Sequence, residues 1–262
     1  MRTLALIAAI WAYPIVAQPL PEAAATADVV VLGEVHDNPA HHERQTDWVA
    51  QIAPAAIVME MLTPDQAALI TPQTRQDPKA LGELLAWDAA GWPDFAMYYP
   101  IFAAAPDALI YGAAVPRDDA RAAMEDGIAA TFGPDARAYG LLGPLPTDQL
   151  ATRIALQDEV HCNAMPPEML PTMVDIQRLR DATLARAVAQ AMRDTLGAVV
   201  VITGNGHARK DWGMPSILAE VMPDARIFVL GQTEDDAAMD GVFDLILSAA
   251  PVARPDPCDA LR

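Results

Sequence analysis

Three of the chain's five histidines lie in one short stretch, Leu32-Gly33-Glu34-Val35-His36-Asp37-Asn38-Pro39-Ala40-His41-His42-Glu43. It follows an apolar run, Val29-Val30-Val31-Leu32, of strand character. A buried strand that ends in Gly, Glu, His and Asp delivers ionisable groups to the carboxyl end of a sheet, where open α/β sheets bind their ligands. His207 follows a second such run, Ala198 to Thr203, and closes Gly204-Asn205-Gly206-His207. Glu60 closes a third, Ala55 to Met59. Glu34, His36, Glu60 and His207 therefore read as the walls of one site. Carboxylates and imidazoles suit general acid–base catalysis when burial brings their pKa values toward neutrality. They also suit a divalent metal such as zinc, manganese or iron, with Glu34, His36 and His207 as ligands. A purely structural alternative is a set of buried polar groups that satisfy loops and helix starts, with Asp37 or Asn38 capping the helix after Pro39.

Other groups bear on the same chemistry. His41 and His42 fall in the first turn of that helix and are weaker candidates. Gly204-Asn205-Gly206 offers flexible backbone with amides free to meet an anion, and Arg209 and Lys210 follow directly. Two positive charges there attract carboxylates such as propionates; as a plain alternative they are solvated charges at a helix start. The aromatic segment Trp92-Pro93-Asp94-Phe95-Ala96-Met97-Tyr98-Tyr99-Pro100 looks exposed and carries a tyrosine pair. One of the two reads as core, but a phenolate can ligate ferric haem iron. Met165, Met169 and Met173 recur every four residues, as core packing or as the lining of a wide, flat, apolar pocket. No serine-nucleophile motif or Walker loop is present. Gly204-Asn205-Gly206 lacks the third glycine and the acidic partner of a dinucleotide site.

The elements that position these groups follow from apolar patterning. Strands are expected at Asp28 to Leu32, Ala55 to Met59, Ala108 to Gly112, Ala198 to Thr203, Arg226 to Leu230 and Phe243 to Leu247. Helices are expected at His41 to Ile52, Thr63 to Ile70, Lys79 to Leu85, Arg117 to Thr131 with a break at Gly127, Asp148 to His161, Pro166 to Leu196 and Pro215 to Val221. Gly133 to Pro146 reads as loop. Strands alternating with helices predict an α/β fold with a largely parallel central sheet flanked by helices. The helical stretch from Glu125 to Arg193 is expected as an insertion or cap over the carboxyl end of the sheet, not a separate domain.

Bulk properties bound the function. Residues 1–17 have the pattern of a secretory signal peptide: Met1-Arg2, an apolar run from Thr3 to Val16, and a small Ala17. That run is shorter than the ~20 residues of a spanning helix. The mature protein, 18–262, is expected as one domain in the periplasm or secreted. A net charge of −18, with 15 arginines and two lysines, argues against a nucleic-acid partner. Cys162 and Cys258 are the only cysteines. In an exported protein an even count predicts a disulfide; the alternative is Cys162 as a ligand beside His161.

The sequence resembles the ChaN-like haem-binding uptake proteins of the Tiki/TraB/erythromycin-esterase superfamily. Four stretches carry the likeness. They are Leu32 to Asn38 with His41, His42 and Gln45; Gly91-Trp92-Pro93 with Tyr98-Tyr99-Pro100-Ile101-Phe102; His161-Cys162 with Met165-Pro166 and Gln177-Arg178-Leu179-Arg180-Asp181; and Gly204 to Arg209 with Gly213-Met214-Pro215. The resemblance implies an α/β fold and haem binding at the cell envelope, often in iron uptake, with an envelope haem transporter as partner. It implies a homodimer, in which a tyrosine of one subunit ligates the iron while basic and histidine side chains of the other meet the propionates. Carried onto this chain, the tyrosine is Tyr98 or Tyr99 and the histidine is His161. The chain has no lipobox cysteine, and arginine must replace lysine at the propionates. The wider superfamily also contains hydrolases, some metal-dependent, whose motif Glu34, His36, Glu60 and His207 match by position.

Overall fold

The computed structural model describes residues 19–256, 258 and 259; the expected leader lies outside them. In chain order come α1 (Glu22–Ala25), β1 (Val29–Glu34), α2 (Pro39–Ile52), β2 (Ala56–Met59), α3 (Pro64–Ala68), α4 (Pro78–Leu84), α5 (Trp87–Ala90), α6 (Phe95–Ala104) and β3 (Leu109–Gly112). A helical stretch follows: α7 (Arg117–Asp126), α8 (Ile128–Phe132), α9 (Thr147–Val160) and α10 (Leu170–Asp194). The chain then returns to the sheet through β4 (Val199–Gly204), α11 (Asn205–Ala208), α12 (Met214–Val221), β5 (Ile227–Glu234) and β6 (Leu245–Ala249).

The six strands form one parallel sheet in the order β3-β2-β4-β1-β5-β6. β1 and β4 are the valine-rich runs, buried along their whole length, and they take the centre. Strands covered on both faces read as continuous apolar runs. β1 and β2 are consecutive along the chain; in the sheet β4 lies between them. From β1 the chain moves toward β2, and from β4 it moves past β1 to β5. The carboxyl ends of β1 and β4 therefore flank a topological switch point, the crevice where such sheets bind ligands.

Two helical layers close the core. On one face α2 and α6 bury Trp48, Val49, Ile101 and Phe102 against Val30, Leu32, Ile57 and Val200. On the other, α10 lays Ile176, Leu179, Leu184 and Val188 against Val29, Val31, Val58 and Val199. The expected cap is thus partly core: its longest helix is itself a layer of the fold.

Several boundaries differ for local reasons. The α2 cap is Asn38, whose side chain accepts from the Ala40 N–H, with Pro39 in the first turn. The helix expected from Pro166 begins at Leu170, after a 3-10 turn over Pro167–Met169. Prolines 166, 167 and 171 lack the N–H that a helix interior needs. Met165, Met169 and Met173 therefore do not form one helical stripe, and Met169 is exposed. β5 continues four residues beyond Leu230 because Gln232 is satisfied inside the fold, its Nε2 donating to the Gly33 carbonyl at 2.7 Å. Gly204-Asn205-Gly206-His207 enters a helical turn rather than a flexible loop.

Ion pairs and a disulfide tie the C-terminal segment to the body of the fold. Arg254 bridges Asp37 and Glu234. Cys162, just past α9, is joined to Cys258 with a Cα–Cα distance of 5.5 Å, within the reach of a disulfide.

Candidate active site

The β1 wall is built around Glu34, which is buried at the strand end. Its Oε1 meets His36 Nδ1 at 2.7 Å and accepts from the Tyr98 hydroxyl at 2.8 Å. Its Oε2 accepts from Gln45 Nε2 at 2.7 Å. Both oxygens are engaged, so Glu34 orients His36 rather than meeting a ligand itself. The His36 side chain remains 32% exposed and its ring lies 5.1 Å from that of Trp92. Gly204 makes room for it: a Cβ there would sit 2.9 Å from His36 Nε2. Gly33 has a similar role, since a Cβ would lie 2.5 Å from the Asn205 Oδ1 that pins α11 to β5.

The opposite wall centres on Glu60 and His207. Glu60 Oε2 accepts from Thr203 Oγ1 at 2.6 Å and from the Gly204 N–H at 2.8 Å. The glycine amide expected to meet an external anion thus holds an internal one. Glu60 Oε1 lies 3.7 Å from His207 Nε2. His207 Nδ1 meets Asp181 Oδ1 at 2.6 Å, and Asp181 Oδ2 accepts from Arg153 at 3.3 Å. Glu34, His36, Glu60 and His207 thus converge on the switch point, each imidazole with Nδ1 held by a carboxylate.

Charge follows from this geometry. Burial disfavours the charged form of His36, but the Glu34 hydrogen bond and the Glu60 charge outweigh it and raise its pKa. Burial likewise opposes charge on His207, yet Glu60 and Asp181 bring it to about 8. Burial opposes ionisation of Glu60, but His207, His36 and its two hydrogen bonds hold it below the usual carboxylate range. Near neutrality the centre therefore contains an ionised Glu60 beside a protonated His207. This arrangement suits proton transfer. Among the described residues no group of three or more His, Cys, Asp or Glu side chains is placed to hold a metal ion. The expected set Glu34, His36 and His207 does not meet in ligating geometry, because Glu34 is saturated by internal donors.

The haem candidates are placed elsewhere. Tyr98 is not exposed: it is fully buried and gives its hydroxyl to Glu34 and the His36 carbonyl. Burial and the Glu34 charge push its ionisation upward, so a tyrosinate there is disfavoured. Tyr99 is half-buried and donates to the Arg75 carbonyl at 2.8 Å. His161 sits at the end of α9 with Nδ1 on the Gln157 carbonyl. Arg209 is paired with Asp211 and stacked 3.4 Å from the Trp212 ring centroid, and Lys210 is paired with Asp244. Neither basic residue is a free charge beside the glycines. His41 and His42 are buried and structural: His41 bridges the Val35 N–H and the Thr233 carbonyl, and His42 bonds the His36 carbonyl.

Arg153 and the roles of Asp181, Gln45 and Tyr98 escaped the sequence reading, which held Gln45 and Asp181 only as members of stretches resembling the family. Asp181 did leave a signal. It stands midway between Val174 and Val188 on the buried stripe of α10, where an unpaired acid is disfavoured.

These features define a class: a six-stranded parallel α/β protein with a carboxylate–imidazole centre at its switch point. The chain belongs to the haem-binding uptake family of the Tiki superfamily, ChaN, which matches residues 20–218. No curated protein matches the chain. Among solved structures, the cofacial haem complex of ChaN from Campylobacter jejuni is similar with a TM-score of 0.59 and 19% identity, over 82% of this chain and 84% of that one; it shares the fold. An erythromycin esterase mutant in its open conformation is similar at 13% identity and a TM-score of 0.44, over 79% of this chain and 70% of its own. The type III effector HopBA1 is similar at 13% identity and 0.44, over 86% and 88%.

Proposed function

We propose that the protein binds haem and handles haem or iron at the cell envelope, after removal of its leader. The match to the haem-binding uptake family over residues 20–218 carries this reading. The residues fit haem in part. Tyr98 does not fit as an iron ligand, because its hydroxyl is buried on Glu34. Tyr99 fits better: it is half-buried, and only a carbonyl competes for its hydroxyl. We assign the ligating oxygen to Tyr99, with His161 near the propionates across a homodimer. The haem, when bound, supplies the iron. The test is hemin titration of the wild type and of Tyr99→Phe. The expected outcome is a saturable Soret change with a tyrosinate-type spectrum in the wild type, lost in Tyr99→Phe. No saturable change in the wild type rejects haem binding. An unaltered spectrum in Tyr99→Phe rejects the ligand.

A second reading, hydrolysis by acid–base chemistry, is favoured by one specific observation. His36 and His207 are each held at Nδ1 by a carboxylate, at 2.7 and 2.6 Å, on either side of Glu60. A base oriented by a third group is the working arrangement of many hydrolases. No nucleophilic hydroxyl stands free here, since Thr203 Oγ1 donates to Glu60. Water is therefore the nucleophile, Glu60 or His36 takes its proton, and protonated His207 gives one to the leaving group. Replacing His36 or His207 by Ala should lower such activity by ~10²–10⁴, while Tyr99→Phe should leave it unchanged.

A further inference from the structure

Among the described arginines that are buried or half-buried, Arg44, Arg75, Arg153, Arg178, Arg186 and Arg209 each donate to a side chain or a carbonyl. Arg180, half-buried on α10, makes no hydrogen bond or ion pair with any described residue. It lines a cavity of about 130 Å³ together with Glu60, His207, Trp92, Leu184 and the chain from Ala113 to Val115. Its charge reaches His207, whose protonation it opposes. A cation drawn partly out of water without a partner is costly, and the charges around it decide what would match it. Glu60 brings a negative charge to the cavity, and protonated His207, 3.7 Å away, offsets it. Asp181, on the other ring nitrogen of His207, is paired with Arg153. The Arg180 charge is left over, a local positive excess in a chain of net charge −18. A monoanion fits that balance. A phosphate dianion does not, because its further oxygens need donors that are already committed: the Ala113 and Ala114 amides to the Met59 and Leu62 carbonyls, and the Trp92 indole N–H to the Met61 carbonyl. The planar guanidinium fork matches a carboxylate with two parallel hydrogen bonds. Leu184, Val115 and the Trp92 ring supply an apolar wall. The volume is below the ~300–1,000 Å³ of drug-sized sites, room for a single ring or a short branched chain and not for a porphyrin.

We propose that this cavity binds a small monocarboxylate with an apolar body, its carboxylate gripped by Arg180 and its body against Trp92 and Leu184. Arg180 is then the residue that sets the charge of the ligand admitted beside Glu60 and His207. The binding rests on the cavity alone. That such a carboxylate is the recognised end of a substrate rests on the acid–base reading above, in which Arg180 selects substrates carrying a free carboxylate.

The test is calorimetric titration of the intact protein, near neutral pH, with benzoate and with benzamide, which keeps the ring but carries no charge. The wild type should bind benzoate saturably and benzamide at least about tenfold more weakly, the scale of a lost charge-assisted contact. Arg180→Leu should weaken benzoate binding by a similar factor and erase the preference. Arg180→Lys, which keeps the charge, should retain the preference. No saturable benzoate binding, equal binding of the two compounds by the wild type, or unaltered benzoate binding in Arg180→Leu overturns the proposal. The comparison within the wild type stands even if a variant fails to fold. Hemin titration separates a small acid from a haem propionate as the source of the carboxylate. Folded Arg180→Leu should bind hemin as the wild type does; loss of hemin binding there assigns the carboxylate to haem and overturns the small acid. Benzoate binding by a wild type that takes up no hemin upholds the proposal and rejects the haem reading alone.

Discussion

The two walls of the site reach the same end by different routes. On the β1 wall, His36 is held by Glu34, two residues away along one strand end. On the β4 wall, His207 is held by Asp181, which comes from α10, 26 residues earlier. The first brace needs only the local turn after β1. The second exists only when α10 has docked on the sheet, and Arg153 of α9 then pairs with the same carboxylate. One brace is thus formed within a segment, while the other couples the centre to the helical layer of α9 and α10.

That contrast can be broken most severely at Asp181. Asp181→Ala leaves Arg153 buried without its partner, and losing one member of a buried pair costs roughly 3–5 kcal/mol. Urea unfolding should register that loss. Limited proteolysis should find new cleavage around α9, because the helix loses its anchor. Intact resistance there would mean that Asp181 does not join the two layers.

Glu34→Ala should cost somewhat less, about 3 kcal/mol, because it removes the charged acceptor shared by Gln45, Tyr98 and His36 at ~1.5–3 kcal/mol per hydrogen bond to a charged group, while the Leu32 and His36 carbonyls still accept from Gln45 and Tyr98. Its signature differs. The midpoint of global unfolding should fall with no selective exposure of α9. If both variants give the same cleavage pattern, the walls are not independent.

Titration separates them more finely. The His207 pKa is raised in the folded protein to about 8. Its contribution is therefore complete below the ordinary histidine value and is lost as pH rises through about 8. The change is worth about 2 kcal/mol at ~1.4 kcal/mol per pKa unit. Glu60, held low, contributes above its ordinary carboxylate range and loses that contribution as pH falls below it. Stability should thus decline from pH 6.5 toward 9, and His207→Gln should flatten that limb. A decline that persists unchanged in the variant would assign it to other groups.

The smallest effect is expected at Tyr98. Tyr98→Phe removes one of three donors to Glu34 and should cost about 1.5 kcal/mol, the low end for hydrogen bonds to charged groups. It should also make Glu34 a stronger partner for His36, so NMR titration should find the His36 pKa higher than in the wild type. An unchanged His36 pKa would show that the tyrosine serves packing alone.

Much of the architecture was legible because its signals are short-range. The valine runs of β1 and β4, the proline and Asn38 at the start of α2, and the Gly127 break between α7 and α8 each act within a few residues. Ionisable residues at strand ends revealed Glu34, His36, Glu60 and His207 for the same reason. The misreadings also have a physical pattern. Tyr98 and Tyr99 were indistinguishable as neighbours in an aromatic segment, yet their helical positions send one to Glu34 and the other to the Arg75 carbonyl. Arg209 and Lys210 looked available because Asp211 lies next door without revealing its geometry, and Asp244 lies far along the chain.

By itself the sequence determined the strands, most of the helices, and which side chains stand at the carboxyl edge, because residue periodicity and turn chemistry are local. The tertiary structure alone decided that β4 would separate β1 from β2 and that Asp181 would reach His207. Those outcomes depend on strand order and helix docking. Both are set by which apolar faces can be buried together, and that is a property of the whole chain rather than of any one segment.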